Sequence, residues 1–130
     1  MPKINKTAFR IKKRKGNPKD PNFDAQKFYN SYKWRRAAKA HRKDNPLCVV
    51  AEAEGFVEVG ECVDHIIAII HGGAKYDPRN FQTLTREAHY KKTKAETHGA
   101  VYETAENEDG DLIPVRDEAN KLIPMQSIDK

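Results

Sequence analysis

Cysteine is scarce in this chain, and long apolar runs are absent. Its two cysteines, Cys48 and Cys62, form no C-x-x-C pair and give no disulfide framework. The longest uninterrupted apolar stretch is Ile66-Ile67-Ala68-Ile69-Ile70, far short of the ~20 residues that a membrane-spanning helix needs. No apolar segment follows the basic N-terminus, which argues against a secretory signal. We therefore expect no membrane association and a cytoplasmic location, bacterial or viral in a bacterial host. At 130 residues, 38% hydrophobic and 33% charged, the chain supports one small domain with appendages.

The charge is unevenly spread. The net charge of +5 conceals a basic front and an acidic end. Residues 1–43 carry fifteen Lys/Arg against Asp20 and Asp24, whereas residues 101–130 carry eight acids against Arg116, Lys121 and Lys130. A positive block of that size condenses on a polyanion and releases counterions. This favours nucleic acid as partner over a basic arm that merely aids solubility.

The pattern predicts three regions. Residues 1–22, rich in Lys, Asn, Pro and Gly without an apolar period, read as a flexible basic arm. Residues 23–99 read as a folded α+β domain. Within it, Ser31 caps a basic helix over Tyr32–Lys43 that stops before Pro46. Trp34, Ala37, Ala38 and His41 share one side of it, with Trp34 as a core anchor, and Arg35, Arg36 and Lys39 lie elsewhere as DNA contacts. Leu47–Val50 leads to a short turn ending at Gly55. Phe56–Val59 and Cys62–Ile67 read as extended pieces, Gly72-Gly73 as a loop, and Phe81–Leu84 as a second short strand. Thr85 caps a last helix from Arg86 to about Thr97. Residues 100–130 form an acidic tail in which Leu112-Ile113-Pro114 recurs as Leu122-Ile123-Pro124. Its prolines suit edge strands, a hairpin or extended docking segments.

Chemistry concentrates at Asp64, His65, Asn80 and His89. Phosphodiester hydrolysis needs an activated water, stabilisation of developing charge and help for the leaving oxygen, and a divalent cation supplies the last two. Asp64 offers a hard oxygen ligand and His89 an imidazole, a set suited to Mg²⁺ or Mn²⁺. His65 points to the opposite face of its strand because side chains alternate there. A neutral His65 can act as general base, with activity rising through about pH 6–7. The Asn80 amide can bond backbone groups and hold the His65 strand in place. Lys91 and Lys92 follow His89 on the helix, where they could meet phosphates.

The joint pattern Asp64-His65-Ile66-Ile67, Gly72-Gly73, Asp77-Pro78-Arg79-Asn80, then Leu84-Thr85 before His89 resembles the HNH endonucleases of phage and prophage type. Phe28-Tyr29-x-Ser31-x-x-Trp34-Arg35 and Asn45-Pro46-Leu47-Cys48 extend the resemblance over about Phe28–Glu96. It implies a ββα-metal core and a metal-dependent endonuclease of low sequence preference that leaves 5′-phosphate and 3′-hydroxyl ends on double-stranded DNA. By the same resemblance His65 is the general base, Asp64 and His89 the metal ligands, and Asn80 the residue that orders the loop. Phage terminase or other DNA-packaging proteins are the partners it suggests. The chain departs from such relatives at their two zinc-binding C-x-x-C pairs. Cys48 remains, but Ala51, Thr85 and Ala88 occupy the other places, so no structural zinc is expected. Some other contact must then tie Leu47–Val50 to the last helix, and the Leu-Ile-Pro tail is a candidate cover for exposed apolar surface. Two further readings stand beside the enzyme: a DNA-binding accessory subunit on an HNH scaffold, and a protein-interaction module.

Overall fold

The computed structural model describes residues 20–96 and 102–124. Most of the expected basic arm, the His98–Gly99 segment and the residues after the second Leu-Ile-Pro copy lie outside these residues. Helices and short strands are mixed along the chain. A five-residue helix, α1 (Ala25–Tyr29), precedes the longer α2 (Tyr32–Asp44). Ser31 caps α2 as expected, its hydroxyl accepting from the Trp34 amide at 3.2 Å and so satisfying one of the orphan donors of the first turn.

Strands β1 (Cys62–His65) and β2 (Phe81–Leu84) pair antiparallel, with Asp64 opposite Gln82 and His65 opposite Phe81. Helix α4 (Arg86–Glu96) follows directly. Trp34 and Ala38 of α2 pack on Val63 and Phe81, with Phe28, Ala37 and Tyr76 at the margin. This aromatic core fixes one face of the β1–β2 pair against α2, and Trp34 is the anchor that its apolar neighbours in sequence suggested.

Leu47–Val50, read from sequence only as leading into a turn, holds the start of a helix. Cys48 begins a one-turn helix, α3 (Val49–Ala53), which closes at Gly55 with φ +89°. That left-handed angle favours glycine, which has no Cβ to clash. Ala51 thereby turns inward. Cys48, Ala51 and Leu84 form a second small core, joined by Cys62 and Ala88. Of Cys48, Ala51, Thr85 and Ala88, three thus meet in an apolar cluster, while the Thr85 hydroxyl caps α4 by accepting from Ala88 at 3.2 Å. Phe56–Val59 also differs from expectation: Val59 makes an isolated bridge to Leu47, and Phe56, Val57 and Val59 are exposed.

The tail folds as a hairpin of β3 (Thr104–Glu106) and β4 (Leu112–Pro114). The second Leu-Ile-Pro copy adds along it through bridges Arg116↔Leu122 and Tyr102↔Pro124. Its docking place differs from the expected one. Leu112 donates to Gly72 and accepts from Ala74, both at 2.9 Å, while Asn107 and Glu108 reach Asp77 and Arg79. The hairpin therefore braces the loop between β1 and β2 and leaves the Cys48 cluster to hold itself. In that loop a Cβ on Gly73 would lie 1.8 Å from the Ile67 carbonyl oxygen, so only glycine allows so close an approach.

Deleting residues 101–130 should lower the melting temperature by roughly 10 °C, since Ile113 is buried and two backbone hydrogen bonds clamp the loop. Removing the exposed Arg79–Glu108 ion pair alone should shift it by no more than a few degrees. Thermal melts of both variants check this; an unchanged value for the deletion would make the tail a docking segment for a partner.

Candidate active site

Strand alternation sends Asp64 and His65 to opposite faces of β1, each into a different environment. Asp64 is nearly buried. Across the strand pair, the Gln82 amide donates to its Oδ2 at 3.0 Å. From α4, His89 Nε2 lies 3.5 Å from Oδ1, and Lys92 Nζ lies 2.9 Å from Oδ2. His89 and Lys92 stand three residues apart and so share one helical face. Burial pushes the Asp64 carboxyl upward, but His89, Lys92 and Gln82 together outweigh it and leave the pKa below the usual carboxylate value. Asp64 is therefore ionised at neutral pH.

His65 occupies the aromatic side. Its ring lies 4.5 Å from that of Trp34 and 5.5 Å from that of Phe81, centroid to centroid. Nε2 lies 2.9 Å from the Lys75 carbonyl oxygen. A carbonyl can only accept, so Nε2 bears the proton, and Nδ1 presents a lone pair that accepts from the Tyr29 hydroxyl at 2.9 Å. Burial lowers the His65 pKa, against opposing contributions from the Lys75 carbonyl and Asp64. The imidazole is neutral at pH 7, the state in which a base can take up a proton.

Asn80 is completely buried. Its Oδ1 accepts from the Ile67 amide at 2.7 Å, and its Nδ2 donates to the Ile67 and Ala74 carbonyls at 3.0 Å each. The side chain is thus spent on backbone, which makes Asn80 a positioning residue of the loop and not a group in contact with substrate. Asp77 supports it from the preceding turn: Arg79 holds the Asp77 carboxyl at a pKa of about 2, and the Asn80 amide donates to the Asp77 carbonyl at 2.8 Å.

Both faces open on one cleft of about 600 Å³, lined by Asp64, His65, His89 and Tyr29 together with Arg35, Lys39 and Arg42 of α2. Two of the expected DNA contacts, Arg35 and Lys39, therefore flank the site. Arg36 instead lies over the Tyr32 ring, 5.5 Å from its centroid. Lys91 is exposed and pairs with Glu87 at 3.4 Å.

Among solved structures, the chain is similar to the HNH endonuclease of the deep-sea thermophilic bacteriophage GVE2, determined with manganese ion. The two share 32% identity over 56% of this chain and 82% of that one, with a TM-score of 0.51. This chain belongs to the HNH endonuclease family. No protein-family model matches it, and neither does any curated protein.

In this HNH endonuclease Asp64, His65 and His89 line one cleft, Asn80 lies in the loop between the strands, and Lys92 lies elsewhere than the sequence suggested. Expected on a phosphate, Lys92 turns inward, its side chain 11% exposed, and its ammonium also donates to the His65 carbonyl at 3.1 Å. Tyr29, Gln82 and Arg42 were missed. Gln82 was accessible in principle, because pairing β1 with β2 puts a polar residue opposite Asp64. Among the described residues no helix is long and apolar enough to cross a membrane, and no group of three His, Cys, Asp or Glu gathers as a metal cluster.

Proposed function

We propose that this nuclease hydrolyses DNA phosphodiesters with a divalent cation, Mg²⁺ or Mn²⁺, held by Asp64 and His89, and with His65 as general base. The observation that carries the reading is the division of β1: a carboxylate–imidazole pair on one face, a neutral imidazole of fixed tautomer on the other, and one basic cleft serving both. The donor set fits such an ion. Two ligands about 2.1 Å from one octahedral ion at right angles are about 3 Å apart, close to the 3.5 Å between Asp64 Oδ1 and His89 Nε2. Water and phosphate oxygens would complete the coordination of such an ion.

When bound, the ion supplies charge stabilisation at the phosphate and at the leaving oxygen. The chain's own residues do the rest. Arg35, Lys39 and Arg42 draw the DNA backbone to the cleft. A water takes the place of the Tyr29 hydroxyl at His65 Nδ1, gives up its proton there and attacks phosphorus through oxygen. The bond to the 3′ oxygen breaks, that oxygen takes a proton from a solvent water, and 5′-phosphate and 3′-hydroxyl ends result. The His65 Nε2–H bond to Lys75 keeps the accepting lone pair on Nδ1 until it takes the proton. In this reading β1, β2 and α4 form the ββα-metal unit of a nuclease domain spanning residues 23–99, and the tail braces its loop.

Supercoiled plasmid incubated with the protein tests the proposal. Mg²⁺ or Mn²⁺ should give nicked or linear product, EDTA should abolish it, and Asp64→Asn should reduce it by roughly a hundredfold or more. Cleavage that persists in EDTA refutes the metal assignment. DNA binding without cleavage under any metal would leave the accessory-subunit reading, in which a DNA-packaging complex supplies what is missing.

A further inference from the structure

Lys92 carries an unusual load for a helix-surface lysine. Its ammonium is held between Asp64 Oδ2 at 2.9 Å and the His65 carbonyl at 3.1 Å, with 11% of its side chain exposed. The neighbouring Lys91 is exposed and pairs with Glu87 one turn earlier. Desolvating an ammonium is costly unless a close anion compensates, so Lys92 is bound into the site through the same carboxylate that would hold the metal. The two oxygens of Asp64 are divided. Oδ1 faces His89, whereas Oδ2 takes Lys92 and Gln82.

We infer that Lys92 is a resident cation of the metal site, competing with a divalent ion for the charge of Asp64. This rests on the metal assignment proposed above. An ion entering at Oδ1 meets a carboxylate already polarised by an ammonium, and it adds two positive charges beside one already there. At short range in a partly buried site that repulsion is strong. The free protein therefore holds its ion weakly. A phosphodiester in the cleft supplies the missing negative charge, so the ion is retained best when DNA is present.

Mn²⁺ binding to the DNA-free protein, followed by the electron paramagnetic resonance signal of free Mn²⁺, tests this. Lys92→Gln keeps a hydrogen-bond donor for Asp64 without the charge, Lys92→Met removes both, and Lys92→Arg retains the charge. The expected result is about ten- to hundredfold tighter Mn²⁺ binding in the Gln and Met variants, with Arg close to wild type. Folding of each is checked by its melting curve, and the Gln variant suffices if Met fails to fold. Unchanged or weaker binding in Lys92→Gln overturns the inference, provided that Asp64→Asn still abolishes the site. Wild-type affinity in Asp64→Asn would instead overturn the metal assignment, and the role of Lys92 with it.

Discussion

Replacing His65 by Ala is expected to lower DNA nicking by about 10²- to 10⁴-fold, the range that a positioned general base contributes. DNA affinity should be nearly unchanged, because the cleft's basic residues are supplied by α2 and not by the substituted side chain. The truncation has a structural cost as well. It strips the Tyr29 hydroxyl and the Lys75 carbonyl of their partner and opens a hole beside Trp34 and Phe81, together worth roughly 2–4 kcal/mol. A melting curve separates that loss from the chemical one, provided that nicking is measured well below the transition. Added imidazole offers a further separation, since it can enter the vacated space and restore a base without restoring the backbone link.

The pH dependence follows from the same environment. Burial lowers the His65 pKa below its ordinary 6.5, and the neutral ring is the active form. The acidic limb of the rate should therefore have its midpoint below 6.5, lower than the range that the unperturbed imidazole suggests. Stability moves in the same direction. Between the lowered folded pKa and the unfolded value, the unfolded chain binds more protons, so this histidine's contribution is present above 6.5 and declines as pH falls through that window. A rate limb centred at or above 6.5 would refute the assignment of His65 as a buried base.

Local rules made part of this legible. Ser31 and Thr85 announce the starts of α2 and α4 because capping depends on residues three positions away. Asp64 and His65 separate because alternation is a property of any strand. What the sequence could not display depends on how elements dock. Lys92 sits beside lysines whose pattern suggests phosphate contact, and only the seating of α4 against β1 turns it toward Asp64. Tyr29 reaches His65 across 36 residues, and no pattern in the intervening chain encodes that contact. The tail's repeat offered a hairpin among other readings, but the strand that pairs with its first copy, β3, lies outside the repeat, and the dock on Gly72 and Ala74 arises from backbone groups that carry no side-chain signature. Leu47–Val50 carried no element signal of its own, and burial of the small Ala51 against Leu84 accompanies the helix that begins there.

Asn80→Ala should produce the largest loss of stability among single substitutions in the site. The amide makes three hydrogen bonds, all to backbone and all buried. Alanine leaves the Ile67 amide and two carbonyls without that partner, where no water reaches a residue with no exposed surface. At about 1–3 kcal/mol for each stranded group, with partial relaxation, the cost is roughly 3–5 kcal/mol. For a domain of this size that corresponds to a drop in melting temperature of about 15 °C or more. Asn80→Asp separates shape from donation. It keeps an acceptor for Ile67 but turns a carboxylate oxygen toward two carbonyls, so it should be at least as unstable at pH 7. Because protonation restores a donor, it should recover partly as pH falls, in contrast to Asn80→Ala. The effect reaches catalysis through the loop, since residues 73–76 carry the Lys75 carbonyl that orients His65. Residual nicking by either variant, measured below its transition, should thus fall in rate more than in DNA affinity. A melting temperature within about 3 °C of wild type for Asn80→Ala would show that the loop holds without its amide.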